Sequence, residues 1–380
     1  MRLLHTSDWH LGRTLHGAPL IEHQRGFLSW LQDVAVREQV AAVLVAGDVY
    51  DRAVPPTDAV RLLDDALAGF AASGVPVLLT SGNHDSAIRL GFGRALNRAA
   101  GIHLRTDLSG LTDPLVLRDD AGELAVYGIP YLLPDAVMDD LGTERTHAAV
   151  LAAAVDRIRA DARAREISRV VAVAHAFVTG GTESGSERDI RVGGLADAPA
   201  AVFAGLSYTA LGHLHGPQQV ADRVRYSGSP LAFSFGERQH VKSVTLVDID
   251  AAGAVTTELL ATPVPRPLRE VRGRLADLLA DPDPSLAGAW VKAVLTDPQR
   301  PLAPMERLRE RWPHTLVLDF APEGMQVDTA TDLQRLSEAS DPVEVCAHFM
   351  EWVDATRPDR AQQDELRRTV EAVRALEASA

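Results

Sequence analysis

Five short segments concentrate the side chains that hold metal ions. They are Asp8-Trp9-His10, Gly47-Asp48, Gly82-Asn83-His84-Asp85, His175 and Gly212-His213-Leu214-His215. Asp8 and His10 stand two residues apart, as do His213 and His215. In extended chain both members of such a pair face the same side and can reach one cluster. Taken singly, each segment has an ordinary reading: a Gly-Asp turn, a helix N-cap, a strand-end histidine with a satisfied ring. Five of them, each placed after an apolar run, are poorly explained as five accidents. Carboxylates, imidazoles and an amide oxygen without a thiolate suit Mn²⁺, Mg²⁺ or Fe rather than structural zinc. The set is too large for one ion and suits two. Two ions about 3.5–4 Å apart can clamp the attacking and leaving oxygens of a phosphoryl displacement. A carboxylate has to bridge them, and Asp48 is the natural candidate. The expected chemistry is hydrolysis of a phosphoester by a water that the metals activate.

The elements that must position these residues follow from hydrophobic period. Arg2–Thr6, Ala41–Ala46 and Val75–Thr80 read as strands that end just before the first three segments. Val170–Ala174 and Tyr208–Leu211 end just before the last two. Ile21–Glu38, a stretch marked by Val60, Leu63, Leu67 and Phe70, and Thr146–Arg165 carry helical spacing. Strands alternating with helices predict βαβ units, in which ligands bind beyond the carboxyl ends of the strands. Past Leu211 the pattern turns to strands and turns, over Val224–Ser227, Val241–Ile249 and Ala254–Leu260. Pro263, Pro265 and Pro267 mark a domain boundary, because alternate prolines continue neither a helix nor a central ladder. A small α+β unit is expected over 268–335, after a first domain of 1–262. Two short helices are expected over 341–380. Asp341-Pro342 would open the first, with Val345, Phe349, Trp352 and Val353 on one face. Asp359 and Gln362 would open the second, with Leu366, Val370, Val373 and Leu376 on its apolar side.

The chain has 380 residues and a formal net charge of −14, from 38 basic and 52 acidic side chains. That balance alone argues against nucleic acid, whose affinity rests on phosphate neutralisation. The acid lies mostly outside the first hundred residues, however, where 9 basic side chains meet 10 acidic ones. Arg89, Arg94, Arg98 and Arg105 follow the Gly-Asn-His-Asp segment and form either a basic strip or a solvated helix face. The single cysteine, Cys346, excludes an internal disulfide and a cysteine-built zinc site. No apolar run is long enough to span a membrane, and the first residues reach a charge too soon for a signal peptide, so a cytoplasmic protein is expected. Lys242 and Lys292, the only lysines, follow Val241 and Val291, so the chain has no Gly-Lys-Ser/Thr phosphate loop. Any ATP dependence must come from a partner.

Together, Asp-x-His, Gly-Asp-x-x-Asp over Gly47–Asp51, Gly-Asn-His-Asp, an isolated histidine and Gly-His-x-His resemble the calcineurin-like metallophosphoesterase superfamily. The stretch His5–Gly12 (HTSDWHLG) narrows the resemblance to the SbcD-type exonuclease subunits. So do Ala46–Arg52, Arg188–Gly194, Ala210–Gln218 and Tyr226–Glu237. The resemblance implies a four-layer αββα core, a small α+β capping domain that contacts DNA and C-terminal helices that grip a partner. It implies that Asp8, His10 and His215 hold a first metal, that Asn83, His175 and His213 hold a second, and that Asp48 bridges. His84 would sit beside the metals as a catalytic donor to the phosphate or the leaving oxygen. Asp85 would buttress its turn, and Asp51 would support the ligands.

The same resemblance implies two Mn²⁺, with Mg²⁺ or Fe as alternatives, and a coiled-coil ATPase partner of the SbcC type. Homodimerisation and action on duplex ends, hairpins and single strands in DNA repair and recombination are also implied. A stand-alone phosphodiesterase for small substrates would share every metal ligand but would not need the segment after Pro267.

Overall fold

A computed structural model describes residues 1–187, 198–280, 283–322, 341–354 and 357–378. The sequence motif over Arg188–Gly194 lies outside the described residues. The chain falls into two compact units, Met1–Pro267 and Leu268–Ala380.

The first unit is built on two six-stranded sheets. In the first sheet, β1 (Arg2–Thr6), β4 (Ala42–Ala46), β5 (Val77–Thr80) and β6 (Ile102–Arg105) run parallel in that order. The antiparallel strands β13 (Ser243–Ile249) and β14 (Val255–Ala261) extend it on the β1 side. In the second sheet, β8 (Gly122–Ile129), β9 (Arg169–His175), β10 (Tyr208–Gly212) and β12 (Val224–Tyr226) run parallel. The antiparallel strands β7 (Leu115–Asp119) and β11 (Gln218–Ala221) close its edges. A small hairpin, β2 (Thr14–Leu15) with β3 (Ala18–Pro19), lies between β1 and the first helix.

Side-chain alternation turns these sheets into four layers. In β4, Ala42, Leu44 and Ala46 face the second sheet, while Val43 and Val45 face the helices. In β9, Val171 and Val173 face the first sheet, while Val170, Ala172 and Ala174 face outward onto helix. All five residues of β4 and all seven of β9 are buried, as strands covered on both faces require. Helices α1 (Ile21–Arg37) and α2 (Thr57–Ser73) cover the first sheet, and α6 (His147–Ala164) covers the second. Phe27, Leu31 and Val34 of α1 are fully buried, each worth roughly 1.5–3 kcal/mol of transfer energy. The expected αββα core is therefore present.

One detail differs from the sequence reading. Val60 lies on the outer face of α2 and is 44% exposed, and the buried stripe is Ala59, Leu62, Leu63, Ala66 and Phe70. The small Ala59 and Ala66 lie against the sheet, and a reading that counts only large side chains rotates the stripe.

The second unit carries a parallel three-stranded sheet, β15 (Leu268–Gly273), β16 (Trp290–Leu295) and β17 (Thr315–Phe320). Its core adds Leu275 and Leu278 of α7 (Leu275–Ala280) and Leu308 of α8 (Pro304–Arg311), with Trp312 just beyond. Two further helices, α9 (Pro342–Asp354) and α10 (Arg360–Ala378), pack on each other. Asp341 Oδ1 accepts from the Val343 amide at the start of α9. At the start of α10, Asp359 and Gln362 exchange side-chain-to-backbone bonds at 2.8 and 2.9 Å, a reciprocal capping box. Phe349 and Val373 are 53% and 48% exposed; the side chains of Trp352, Val353 and Leu376 lie outside the described residues.

Candidate metal centre

The carboxyl ends of β1, β4 and β5 meet those of β9 and β10, and all five segments converge there. The turns after β1 and β4 zip together, with the Asp8, His10 and Leu11 amides donating to the carbonyls of Gly47, Asp48 and Val49. This crossing forces unusual backbone. Asp8, His10, Asp48 and His213 all have positive φ, at 53°, 44°, 47° and 109°. Such conformations cost about 1–3 kcal/mol each and persist only when the surroundings over-determine them. Glycines allow the sheets to touch: a Cβ on Gly212 would lie 1.8 Å from the Ala46 carbonyl oxygen, and one on Gly82 would lie 2.1 Å from Asp48 Oδ1.

Ring orientations are fixed from outside the cluster. His175 Nδ1 lies 2.9 Å from the Ala46 carbonyl, which can only accept, so Nδ1 carries the proton and Nε2 the lone pair. That Nε2 faces Asn83 Oδ1 at 2.9 Å and Asp48 Oδ2 at 3.5 Å. His84 Nδ1 lies 2.8 Å from the Asp51 carbonyl, and its Nε2 is 3.9 Å from Asp48 Oδ2. His10 Nε2 faces Asp48 Oδ2 at 3.6 Å and His215 Nε2 at 3.2 Å, and its Nδ1 is 3.6 Å from Asp51 Oδ1. Asp48 Oδ2 is thus the point on which three imidazole nitrogens aim. His213 contributes its backbone amide to Asp8 at 3.0 Å, and its buried ring lies 5.4 Å from that of His175.

Acceptor facing acceptor is unfavourable without a cation between, and the electrostatics agree. Burial first, and then the charge of Asp48, push Asp8 well above the usual carboxylate range. The same two causes push Asp85 up to about 7, although the Gly82, Tyr50 and Val49 amides donate to it. Burial lowers His175 to about 4 and holds His10 and His213 well below the usual imidazole value, keeping ring nitrogens neutral and able to ligate. Among the described residues, three groups bring ligand atoms within 4.8 Å of one another: Asp8, His10 and His215; Asp8, Asp48 and His175; His10, Asp48 and His84. This donor set fits divalent cations.

Supporting residues carried little sequence signal. Buried Gln24 donates to the Trp9 and His10 carbonyls and accepts from the Gly12 amide, tying α1 to the first turn. Ser7 donates to Asp8 at 2.6 Å. Neither shows a pattern that separates it from a surface polar residue. His5 is a core residue bonded to Tyr208 and the Leu211 carbonyl.

Of the four arginines after the Gly-Asn-His-Asp segment, Arg89, Arg94 and Arg98 are exposed, as on a solvated face, and Arg105 is not. Arg94 pairs with Asp107, Arg98 and Arg105 both pair with Asp113, and Arg105 is buried. Arg89 donates to the Ala53 carbonyl. Two aspartates, Asp107 and Asp113, offset part of the charge of these four arginines. Beside the exposed Arg89, Arg94 and Arg98, the stretch also exposes Ile88, Phe92 and Leu96, at 87%, 85% and 81%.

Residues 1–217 match the family model described as calcineurin-like phosphoesterase. Residues 264–353 match that of the type 5 capsule protein repressor C-terminal domain. Over 355 residues the chain is 38% identical to the SbcD subunit of the nuclease SbcCD of Rhodobacter capsulatus, covering 87% of this chain and 86% of that protein. The SbcD subunit of Bacillus subtilis is 36% identical over 260 residues, 65% of this chain and 66% of its own. That of Escherichia coli K12 is 33% identical over 293 residues, 74% and 73% of the two chains.

Proposed function

This chain belongs to the calcineurin-like phosphoesterases, among the SbcD nuclease subunits, and from that premise we propose that it hydrolyses DNA phosphodiesters at a two-Mn²⁺ centre within an SbcC-partnered complex. The observation that carries this reading is Asp48 Oδ2, faced by His10, His84 and His175 at 3.5–3.9 Å. In this reading Asp8, His10 and His215 hold one cation, Asn83, His175 and His213 hold the other, and Asp48 bridges. When bound, the cations supply an activated water and withdraw charge from the phosphate. The chain's own groups do the rest. Anchored Nδ1 atoms fix the tautomer of His84 and His175, and Asp85 staples the turn after β4 to the turn after β5. His84, 9% exposed where Asp8 and His10 are fully buried, offers Nε2 to the phosphate or the leaving oxygen.

Residues 268–335 are assigned as a DNA-capping domain and 341–380 as the partner-binding helices, after a nuclease domain of 1–262. Exposed Phe349 is of the type that anchors interfaces. ATP acts through the partner, in keeping with the missing phosphate-loop lysine. Among the described residues no helix is long and apolar enough to cross a membrane. A cytoplasmic site of action follows from the DNA substrate.

The test is digestion of an end-labelled duplex with Mn²⁺, with and without a coiled-coil ATPase of the SbcC type. Digestion stimulated by ATP only in the pair is expected. Truncation after Asp341 should keep Mn²⁺ binding and lose the partner in a pull-down. Hydrolysis confined to small phosphodiesters in both arms would instead support a stand-alone phosphodiesterase.

The exposed apolar row supports a homodimer. Ile88, Phe92 and Leu96 recur every four residues across α3 (Ala87–Leu90) and α4 (Arg94–Ala99), and side chains this apolar gain from mutual burial. Phe92→Asp combined with Leu96→Asp should convert a dimer to a monomer by light scattering, with Mn²⁺ content unchanged. A wild-type chain that is monomeric at roughly 10 µM, well above the Kd of a stable dimer, contradicts the assignment.

A further inference from the structure

We infer that Ser186 and Glu237 are positioning residues that set the tautomer and direction of His215, with Lys242 holding Glu237 in its charged form. This inference rests on the two-cation reading and deepens it.

The atoms allow one proton order. Ser186 Oγ lies 2.5 Å from His215 Nδ1 and 2.5 Å from Glu237 Oε1. An ionised carboxylate only accepts, so the single hydroxyl proton goes to Glu237. Ser186 Oγ must then accept, and His215 Nδ1 must donate. His215 Nε2 is left with its lone pair, facing His10 Nε2 at 3.2 Å. The other anchored rings reach the same tautomer through single backbone carbonyls, whereas His215 uses a hydroxyl backed by a charge.

That charge is deeply buried. Glu237 and Lys242 are 1% and 3% exposed and form a direct ion pair. The Lys242 ammonium bonds directly to the Glu237 carboxylate and supplies the counter-charge that lets it stay ionised there. Lys242 also donates to the His215 carbonyl and to Ser229 Oγ, both at 2.9 Å, so its charge braces the backbone of the same histidine. Glu237 Oε1 accepts from the Phe233 amide as well. A second carboxylate, Glu187, accepts from the His215 amide at 3.0 Å and from the Ser184 amide and hydroxyl. Ring, amide and carbonyl of His215 are therefore each held by a different partner. A buried ion pair is a poor source of net stability. Its geometry here explains its presence better than stability does.

Outer partners of ligating histidines typically contribute 10–100-fold in metal affinity. The experiment is Mn²⁺ titration of the full chain by calorimetry, for wild type, Ser186→Ala, Ser186→Thr and Glu237→Gln. Wild type should bind two ions. Ser186→Ala and Glu237→Gln should weaken one of them by about 10–100-fold and leave the other within about twofold. Ser186→Thr keeps the hydroxyl and should restore wild-type affinity. A wild type that binds no Mn²⁺ ends the two-cation reading itself. Two-site binding by wild type with affinities unchanged in Ser186→Ala and Glu237→Gln, or lowered equally at both sites, overturns the positioning role alone. Circular-dichroism melting of each variant identifies misfolding as a cause of equal loss. Should Glu237→Gln misfold, Ser186→Ala, which leaves the ion pair in place, decides.

Discussion

Asp48→Asn should lose both ions and, with them, hydrolysis by more than about 10³-fold, beyond the 10²–10³ typical of one lost electrostatic donor. Asparagine is the better test than alanine here, because it keeps the volume and tolerates the positive φ of 47°. The argument is positional. Asp48 Oδ2 lies 3.6 Å from His10 Nε2 and 3.5 Å from His175 Nε2, two rings assigned to different ions. Asp48 Oδ1 meanwhile accepts the His84 amide at 2.9 Å, which fixes the carboxylate's rotation. Asn83, by contrast, faces His175 Nε2 at 2.9 Å, a ring assigned to one ion. Asn83→Ala should therefore release one ion and retain the other. Elemental analysis of the purified chains gives the count directly. One ion lost from each variant would show that Asp48 does not bridge.

The same substitution should not unfold the metal-free chain. Asp48 raises both Asp8 and Asp85 by its charge, so removing that charge relieves repulsion in a buried cluster. Thermal melts in chelator should find Asp48→Asn at least as stable as wild type. The repulsion is of the kind that active centres store and a bound cation offsets.

What the sequence made legible was whatever repeats or concentrates. Buried parallel strands such as Ala42–Ala46 are continuous apolar runs, and the metal-type residues directly follow them. Short elements escaped. β6 (IHLR) and β7 (LVLRD) are four and five residues long and carry charges that the sheet edge tolerates. Arg105 illustrates the limit on charge. It looks like a surface base but is buried, its guanidinium bonded to the Asp113 carbonyl at 2.8 Å and paired with the Asp113 carboxylate at 3.0 Å. Partners that lie tens of residues apart leave no local trace. Glu237 and Ser186 are 51 positions apart, and Gln24 reaches back 14 to His10. The residues that converge at the site were visible because they cluster in short motifs; those that orient them were not, because they act through contacts that only the fold creates.

His84→Ala should bring the sharpest separation of metal binding from chemistry, with both ions retained and turnover reduced by roughly 10²–10³-fold. A competing view is available, since His84 shares a compact group with His10 and Asp48 that could itself hold an ion. Three observations favour the donor role. His84 Nε2 stands farther from Asp48 Oδ2, at 3.9 Å, than the nitrogens of His10 and His175 do. Its ring meets that of His10 edge-on at 4.7 Å, beside the cluster rather than within it. It also keeps some exposure to solvent, as a group that must meet a substrate needs, while Asp8 and His10 have none. Its Nδ1 is tied to the Asp51 carbonyl at 2.8 Å, so a second proton on Nε2 gives a donor without reorienting the ring. His84→Gln supplies the graded test: a side-chain amide can still donate a hydrogen bond but cannot transfer a proton. If charge stabilisation dominates, the His84→Gln variant should recover part of the loss; if proton transfer to the leaving oxygen dominates, it should not. Elemental analysis showing half the metal gone from His84→Ala would make His84 a ligand and return the donor's role to another residue.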